Sequence, residues 1–120
     1  MKQDLPDRTI SFALRIIKLY QHLEKMRGAA RTMGNQILRS GTSVGANIAE
    51  GQGAQSEADY LTKCSIALKE AHETLYWLEL LSRSNLVASD LLQDLKRECN
   101  ELVAILTTIC KKLKAKRGRK

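Results

Sequence analysis

A run of small residues, RSGTSVGANIAEGQG over residues 39–53, places the strongest constraint on what this chain can fold into. Gly41, Gly45 and Ala49 are spaced four residues apart, so in a helix they form one stripe of small side chains. A glycine inside a helix costs about 1 kcal/mol relative to alanine, so close packing or function must offset that cost. The stripe therefore predicts that a neighbouring helix approaches this one unusually closely.

The composition favours helices over sheets. The chain has 120 residues, of which 43% are hydrophobic and 4% aromatic, and it contains one proline. Leu, Ala, Lys and Glu are frequent, and these residues favour helices. A chain of this length can build one compact domain with a modest core. We expect a single all-α domain that gains further stability by self-association.

Hydrophobic periodicity and capping residues divide the chain into four helices. Pro6 and Asp7 fit a first turn, Gly28 fits a helix end, and Ser56 with Asp59 resembles a capping box. The predicted helices cover about residues 6–26, 29–50, 57–84 and 90–113. Short connections between long helices are typical of an antiparallel up-down-up-down four-helix bundle, which we place at residues 1–110, its last helix extending to about 113.

The third helix has more apolar width than one partner can cover. Its heptad seam repeats every three and four residues: Leu61, Cys64, Leu68, Ala71, Leu75 and Leu78. The apolar residues that lie off that seam are Tyr60, Tyr76, Trp77, Leu80 and Leu81. They predict a second interface, with another helix, subunit or partner protein.

The net charge of +7 lies entirely in the last ten residues. Residues 1–110 hold 13 basic and 13 acidic residues, whereas residues 111–120 hold no acid and seven basic residues: Lys111, Lys112, Lys114, Lys116, Arg117, Arg119 and Lys120. Such a segment fits a disordered or fraying arm that contacts nucleic-acid phosphates. It also fits a solubilising helix end, because cations there interact favourably with the helix dipole.

The cysteines indicate neither disulfides nor a zinc site. Cys64, Cys99 and Cys110 occupy apolar positions of helical repeats and form no C-x-x-C pair. Such usage is typical of a reducing cytoplasm. The sequence contains no apolar run of the roughly 20 residues that span a bilayer, so we expect a cytoplasmic protein.

Metal and other cofactor sites are not expected. A di-iron bundle needs Glu-x-x-His pairs on two helices, but Leu19 and Lys69 stand three residues before His22 and His72. Glu70 and Glu73, one turn apart, fit salt bridges on a solvated face. Glu50 lies at a helix C-terminus, where the dipole disfavours its charge, so we expect Asn47 and Glu50 to bond to a neighbouring helix or subunit.

Several stretches resemble the bacterial four-helix bundle family of 23S rRNA intervening-sequence proteins. They are Arg39–Gly41, SVGANIAEG from Ser43 to Gly51, Ser56, Tyr60, and EAHETLYWLELL from Glu70 to Leu81. The resemblance implies a ring-shaped homopentamer of bundles without an established ribosomal role. It also implies kinship with the accessory variability protein of diversity-generating retroelements, which binds nucleic acid and partners a reverse transcriptase.

These observations favour a non-enzymatic, homo-oligomeric, pentameric scaffold. It would contact RNA or DNA phosphates without sequence specificity, through Arg39 and the basic tail formed by residues 111–120. One alternative is a protein adaptor whose partner face includes Trp77, Leu80 and Leu81. Another is a ribonuclease, because the spacing of Arg15 and His22 resembles the Arg-x6-His motif of HEPN ribonucleases, in which histidine acts as a base.

Overall fold

The computed structural model describes residues 4–118, which form four α-helices. They are α1 (Leu5–Leu23), α2 (Ala29–Gly51), α3 (Glu57–Arg83) and α4 (Asp90–Arg117). Each helix packs against its two neighbours in the order α1, α2, α3, α4 and back to α1. The described residues contain no strand. The predicted all-α, antiparallel up-down-up-down four-helix bundle is confirmed.

The first and third helices begin at residues whose side chains cap them. The Asp4 side chain accepts a hydrogen bond from the Asp7 amide at 3.0 Å, and Ser56 Oγ accepts one from the Asp59 amide at 3.1 Å. Each bond satisfies an amide that has no partner within its helix. Gly28 adopts a φ of 69° between α1 and α2, a conformation that favours glycine. The capped start predicted for α3 is therefore present.

The close approach predicted for α2 is made by α1. A Cβ atom added at Gly41 would lie 2.8 Å from Ile16 Cγ1, and one added at Gly34 would lie 2.9 Å from Leu23 Cβ. At Gly45 the added atom would lie 3.2 Å from Thr9 Cβ. As the α2 position rises from 34 to 45, its α1 partner falls from 23 to 9, so the two helices are antiparallel.

The stripe itself needs one correction, because Ala49 is exposed and does not pack on α1. Each step of four residues turns about 40° around a helix, so Ala49 lies about 80° from Gly41. Gly34, seven residues before Gly41, lies only about 20° away from it. The glycines that allow α1 to approach closely are therefore Gly34, Gly41 and Gly45.

The core continues along the bundle as two clusters of buried side chains. One includes Phe12, Ile37, Leu78 and Leu102, and the other includes Val44, Ile48, Cys64 and Leu106. All three cysteines are buried and free. No helix within residues 4–118 has both the length and the apolarity needed to cross a bilayer.

Candidate nucleic-acid interface

The basic segment at the end of the chain continues α4 instead of leaving the bundle as a frayed arm. The helix extends through Arg117, further than the expected limit near residue 113. Cys110 is buried in the core and Leu113 is half-buried, so apolar contacts hold this part of α4 against the bundle. Arg119 and Lys120 lie outside the described residues.

The cations of this segment project into solvent. Lys111, Lys112, Lys114 and Lys116 are exposed, and Arg117 is half-buried. Lys116 Nζ forms an ion pair with Glu57 at the start of α3. Within residues 4–118, the other four basic groups form no ion pair. Their charges therefore remain available to an external anion.

Arg39 lies in an ion-pair cluster between α2 and α3. Its guanidinium is half exposed, donates to Glu70 Oε2 at 3.1 Å and also donates to Glu73. Trp77 Nε1 donates to Glu73 Oε2 at 3.0 Å. The bond from Arg39, and then that from Trp77, lowers the pKa of Glu73 below its usual value of 4.5. Because two carboxylates already hold Arg39, a phosphate would have to compete with them.

Glu70 belongs to a buried polar layer and not to the solvated face that we expected. Its side chain is 11% exposed, and its carbonyl oxygen lies 2.8 Å from Thr74 Oγ1. Thr74 Oγ1 also lies 2.8 Å from Ser40 Oγ, which donates to the Gln36 carbonyl. This layer joins α2 to α3 inside the bundle, so Ser40 serves packing. Sequence reasoning missed it because small hydroxyl residues give no signal of their partners.

The turn between α2 and α3 is held by side chains from both helices. Glu50 Oε1 accepts a hydrogen bond from Lys63 Nζ of α3 at 2.8 Å. Asn47 Nδ2 donates to the Ser43 carbonyl of its own helix at 2.9 Å. Of the two expected links to a neighbouring helix, the structure thus shows the one from Glu50, whereas Asn47 bonds within α2.

Trp77, Leu80 and Leu81 do not share one exposed face. Leu81 is fully buried in the core, so it makes helix-packing contacts and its assignment to a partner face was wrong. Leu80 is exposed and Trp77 is half-buried. Leu80 and Leu81 are consecutive, and consecutive helix residues point about 100° apart, so one side chain faces solvent while the other is buried.

Arg8 makes a bidentate ion pair that the sequence did not reveal. Its Nε lies 2.7 Å from Glu98 Oε2, and one terminal nitrogen lies 2.8 Å from Glu98 Oε1 and 2.8 Å from Glu101 Oε1. These bonds raise the pKa of Arg8 and join α1 to α4. The partners are about 90 residues apart in the chain, and no local pattern indicates such a pair.

Arg15 and His22 line the same groove between α1 and α4, together with Lys18 and Leu91. The groove has a volume of about 420 Å³. No group of three metal-binding side chains occurs among the residues that the structure describes. The seven-residue spacing of Arg15 and His22 thus places both polar side chains in one open groove.

An apolar stripe lies on the outer side of α1. Ile10, Leu14 and Ile17 are 58%, 57% and 37% exposed and recur at helical spacing. Arg8 bonds to Glu98 and therefore marks the side of α1 that faces α4. Ile10 lies about 200° around the helix from Arg8, so the stripe faces away from α4. Large apolar side chains grouped on a surface are typical of a protein contact.

The described helices thus define an antiparallel four-helix bundle with a basic, solvent-exposed helix end. The sequence matches the family model of the 23S rRNA-intervening sequence proteins over residues 2–108, and the chain belongs to that family. A solved structure from Bacteroides thetaiotaomicron, described as a protein with unknown function from the S23 ribosomal protein family, is similar to this chain. It shows 43% identity and a TM-score of 0.83, covering 90% of this chain and 99% of that one. No curated protein gives a significant match.

Proposed function

We propose that this protein is a non-enzymatic, homo-oligomeric scaffold that binds RNA or DNA through phosphates. The observation that carries the proposal is the C-terminal part of α4, where four of the five described basic groups form no ion pair within residues 4–118. A rigid helix presents these charges at fixed spacing. Phosphate contacts of this kind carry no sequence information, so binding is non-specific.

Self-association is supported by the apolar stripe of Ile10, Leu14 and Ile17 on α1. A second copy that covers the stripe removes this area from water, at about 25 cal/mol per Å² of apolar surface. The resemblance to ring-forming relatives favours a pentamer. A ring repeats the net charge of +7 once per subunit, and this repetition strengthens the attraction for a polyanion.

The cellular setting follows from the same proposal. A cytoplasmic oligomer that binds nucleic acid suits a role linked to an intervening sequence of ribosomal RNA. It equally suits an accessory role beside a reverse transcriptase, as in retroelements. Co-purification of an endogenous reverse transcriptase with the tagged protein would support the second setting.

A charge-neutralised variant tests the nucleic-acid part of the proposal. We expect the triple substitution Lys111→Gln, Lys112→Gln and Arg117→Gln to weaken binding of mixed-sequence RNA and to flatten its salt dependence. Each lost phosphate contact reduces the log-log slope by about 0.7 to 0.9. Filter binding over a range of salt concentrations measures both quantities.

The matched control removes three positive charges from the opposite end of the bundle. Lys25, Arg27 and Arg31 are exposed near the turn between α1 and α2. Their replacement by Gln changes the net charge equally, so a general effect of charge weakens both variants alike. Equal affinities in the wild type and the α4 variant would contradict the proposal.

An adaptor function is the second candidate. Leu80, Leu86 and Leu91 are 40%, 41% and 61% exposed near the end of the bundle where α3 connects to α4. An adaptor would bind a protein there and would show no affinity for RNA even at low salt. The same filter-binding series therefore separates the two functions.

A ribonuclease function is the third candidate, favoured by the shared groove of Arg15 and His22. In such an enzyme His22 would act as the base and Arg15 would stabilise the phosphate. Incubation of single-stranded RNA with the wild type and with His22→Ala tests it. Cleavage that disappears in the variant would establish an enzyme, and intact RNA with the wild type would remove this candidate.

A further inference from the structure

The outer face between α3 and α4 contains a long groove, which we call the α3–α4 groove. It consists of two depressions of about 650 and 390 Å³. His72 lines both of them, so the two depressions adjoin at this residue. Ser65 and Arg83 mark its two ends on α3, about 27 Å apart at 1.5 Å per residue. This length accommodates several nucleotides of an extended strand.

The groove is strongly cationic. Its lining includes one carboxylate, Glu79, and five basic side chains: Lys69, Arg83, Lys96, Arg97 and Lys114. Glu79 is held by Lys96 Nζ at 2.8 Å and by Arg83 Nε at 2.7 Å, so its charge is already compensated. This arrangement leaves an excess of positive charge along the groove.

Three of the five cations are available to a ligand. Lys69 and Lys114 form no ion pair within residues 4–118. Arg97 pairs with Asp94 one helical turn away, but both side chains are more than two-thirds exposed. Exposed pairs of this kind contribute little, so a phosphate can replace Asp94.

Tyr76 adds an aromatic surface to this groove. Its side chain is 60% exposed, and its ring packs edge-on against Trp77 with centroids 5.3 Å apart. Trp77 is in turn held by its hydrogen bond to Glu73. The contact restricts the Tyr76 ring and leaves much of its surface in solvent, among the cations of the groove.

A cationic groove with an exposed aromatic ring is the arrangement by which proteins hold single-stranded nucleic acid. We propose that the α3–α4 groove binds a single RNA or DNA strand, with a base stacked on Tyr76 and phosphates at Lys69, Arg97 and Lys114. This inference rests on the proposed nucleic-acid function and names its strand form and its site.

The test compares Tyr76→Ala with Tyr76→Phe, a matched control that keeps the ring. Binding of a fluorescent single-stranded oligonucleotide and of its duplex is measured by anisotropy at one salt concentration. Tyr76→Ala should weaken single-strand binding at least about fivefold, the lower end of the loss for one stacked base. Tyr76→Phe should bind like the wild type, and duplex binding should stay the same in both variants.

A second variant tests the cations independently of the ring. Lys69→Gln combined with Lys114→Gln should weaken single-strand binding and reduce its salt dependence. Unchanged single-strand binding by Tyr76→Ala, or an equal loss for duplex, would overturn the inference. If the wild type still binds nucleic acid in that case, the proposed function remains and only the site is wrong. If the wild type binds no nucleic acid, the proposed function is wrong as well.

Discussion

Gly41 of α2 lies directly against Ile16 of α1, where an added Cβ would come within 2.8 Å of Ile16 Cγ1. Ile16 is fully buried, so it has no open space into which to move. The absence of a side chain at position 41 thus determines how closely the two helices pack. It also explains why a residue that disfavours helices stands in the middle of α2.

We predict that Gly41→Ala destabilises the protein although alanine is the better helix former. The gain in helix propensity is about 1 kcal/mol, whereas overpacking a core costs about 1 to 3 kcal/mol. Three Ile16 atoms lie within 3.0 Å of the added methyl group, so the cost should exceed the gain. Urea unfolding followed by circular dichroism measures the change.

Gly53→Ala is the control for this prediction. The nearest atom to a Cβ at position 53 is the Glu50 carbonyl oxygen at 3.8 Å, an ordinary contact. The free energy of unfolding should therefore stay the same or increase slightly. A Gly41→Ala variant as stable as the wild type would show that α1 and α2 do not pack as closely as described.

Glu73 makes the stability depend on pH. Arg39 and Trp77 lower its pKa in the folded state, so its contribution is fully present above its usual pKa of 4.5 and is lost as the pH falls through the lowered value. We predict that Glu73→Gln loses less stability than the wild type between pH 7 and acid pH. Urea unfolding at several pH values provides the test.

Glu24→Gln is the comparison for the pH series. Glu24 is exposed and forms no ion pair with any residue from 4 to 118. Its replacement removes one carboxylate without touching the ion-pair cluster around Arg39. If Glu73→Gln and Glu24→Gln follow the same curve, the ion-pair cluster around Arg39 does not contribute to the acid sensitivity.

The apolar stripe on α1 leads to a prediction about assembly. Leu14 is 57% exposed at the middle of the stripe, so Leu14→Glu should dissociate the proposed oligomer while the helical content stays the same. Burying an unpaired carboxylate in an interface is strongly unfavourable. Light scattering after size exclusion reports the mass.

Leu80→Glu places the same charge on α3, at the face that an adaptor would use. We expect this variant to keep the mass of the wild type. Dissociation by Leu80→Glu and not by Leu14→Glu would move the subunit contact to the α3 face and contradict our assignment of the stripe.

The sequence predicted the elements that depend on local pattern. Ser56 caps α3 as expected. The spacing of apolar residues by three and four predicted the four helices and the bundle. The family model matching residues 2–108 confirms the family that the SVGANIAEG stretch indicated. Periodicity and capping act within a few residues along the chain, so one sequence is enough to predict them.

Features that depend on distant partners could not be predicted. Arg8 gives no sign that Glu98 accepts its guanidinium, and Glu70 gives no sign that it is buried beside Arg39. The error at Ala49 is of a different kind, because helical rotation alone moves a four-residue spacing off the contact line and places Gly34 there instead. Leu81 packs in the core of the bundle, while Leu80 beside it faces solvent.

A salt titration of wild-type protein binding to labelled mixed-sequence RNA shows whether the protein binds nucleic acid through phosphates. We expect tight binding at low salt and an affinity that falls linearly with salt on a log-log plot, with a slope of about 0.7 or more per phosphate contact. An affinity that does not change with salt, or no binding at the lowest salt concentration, would contradict it.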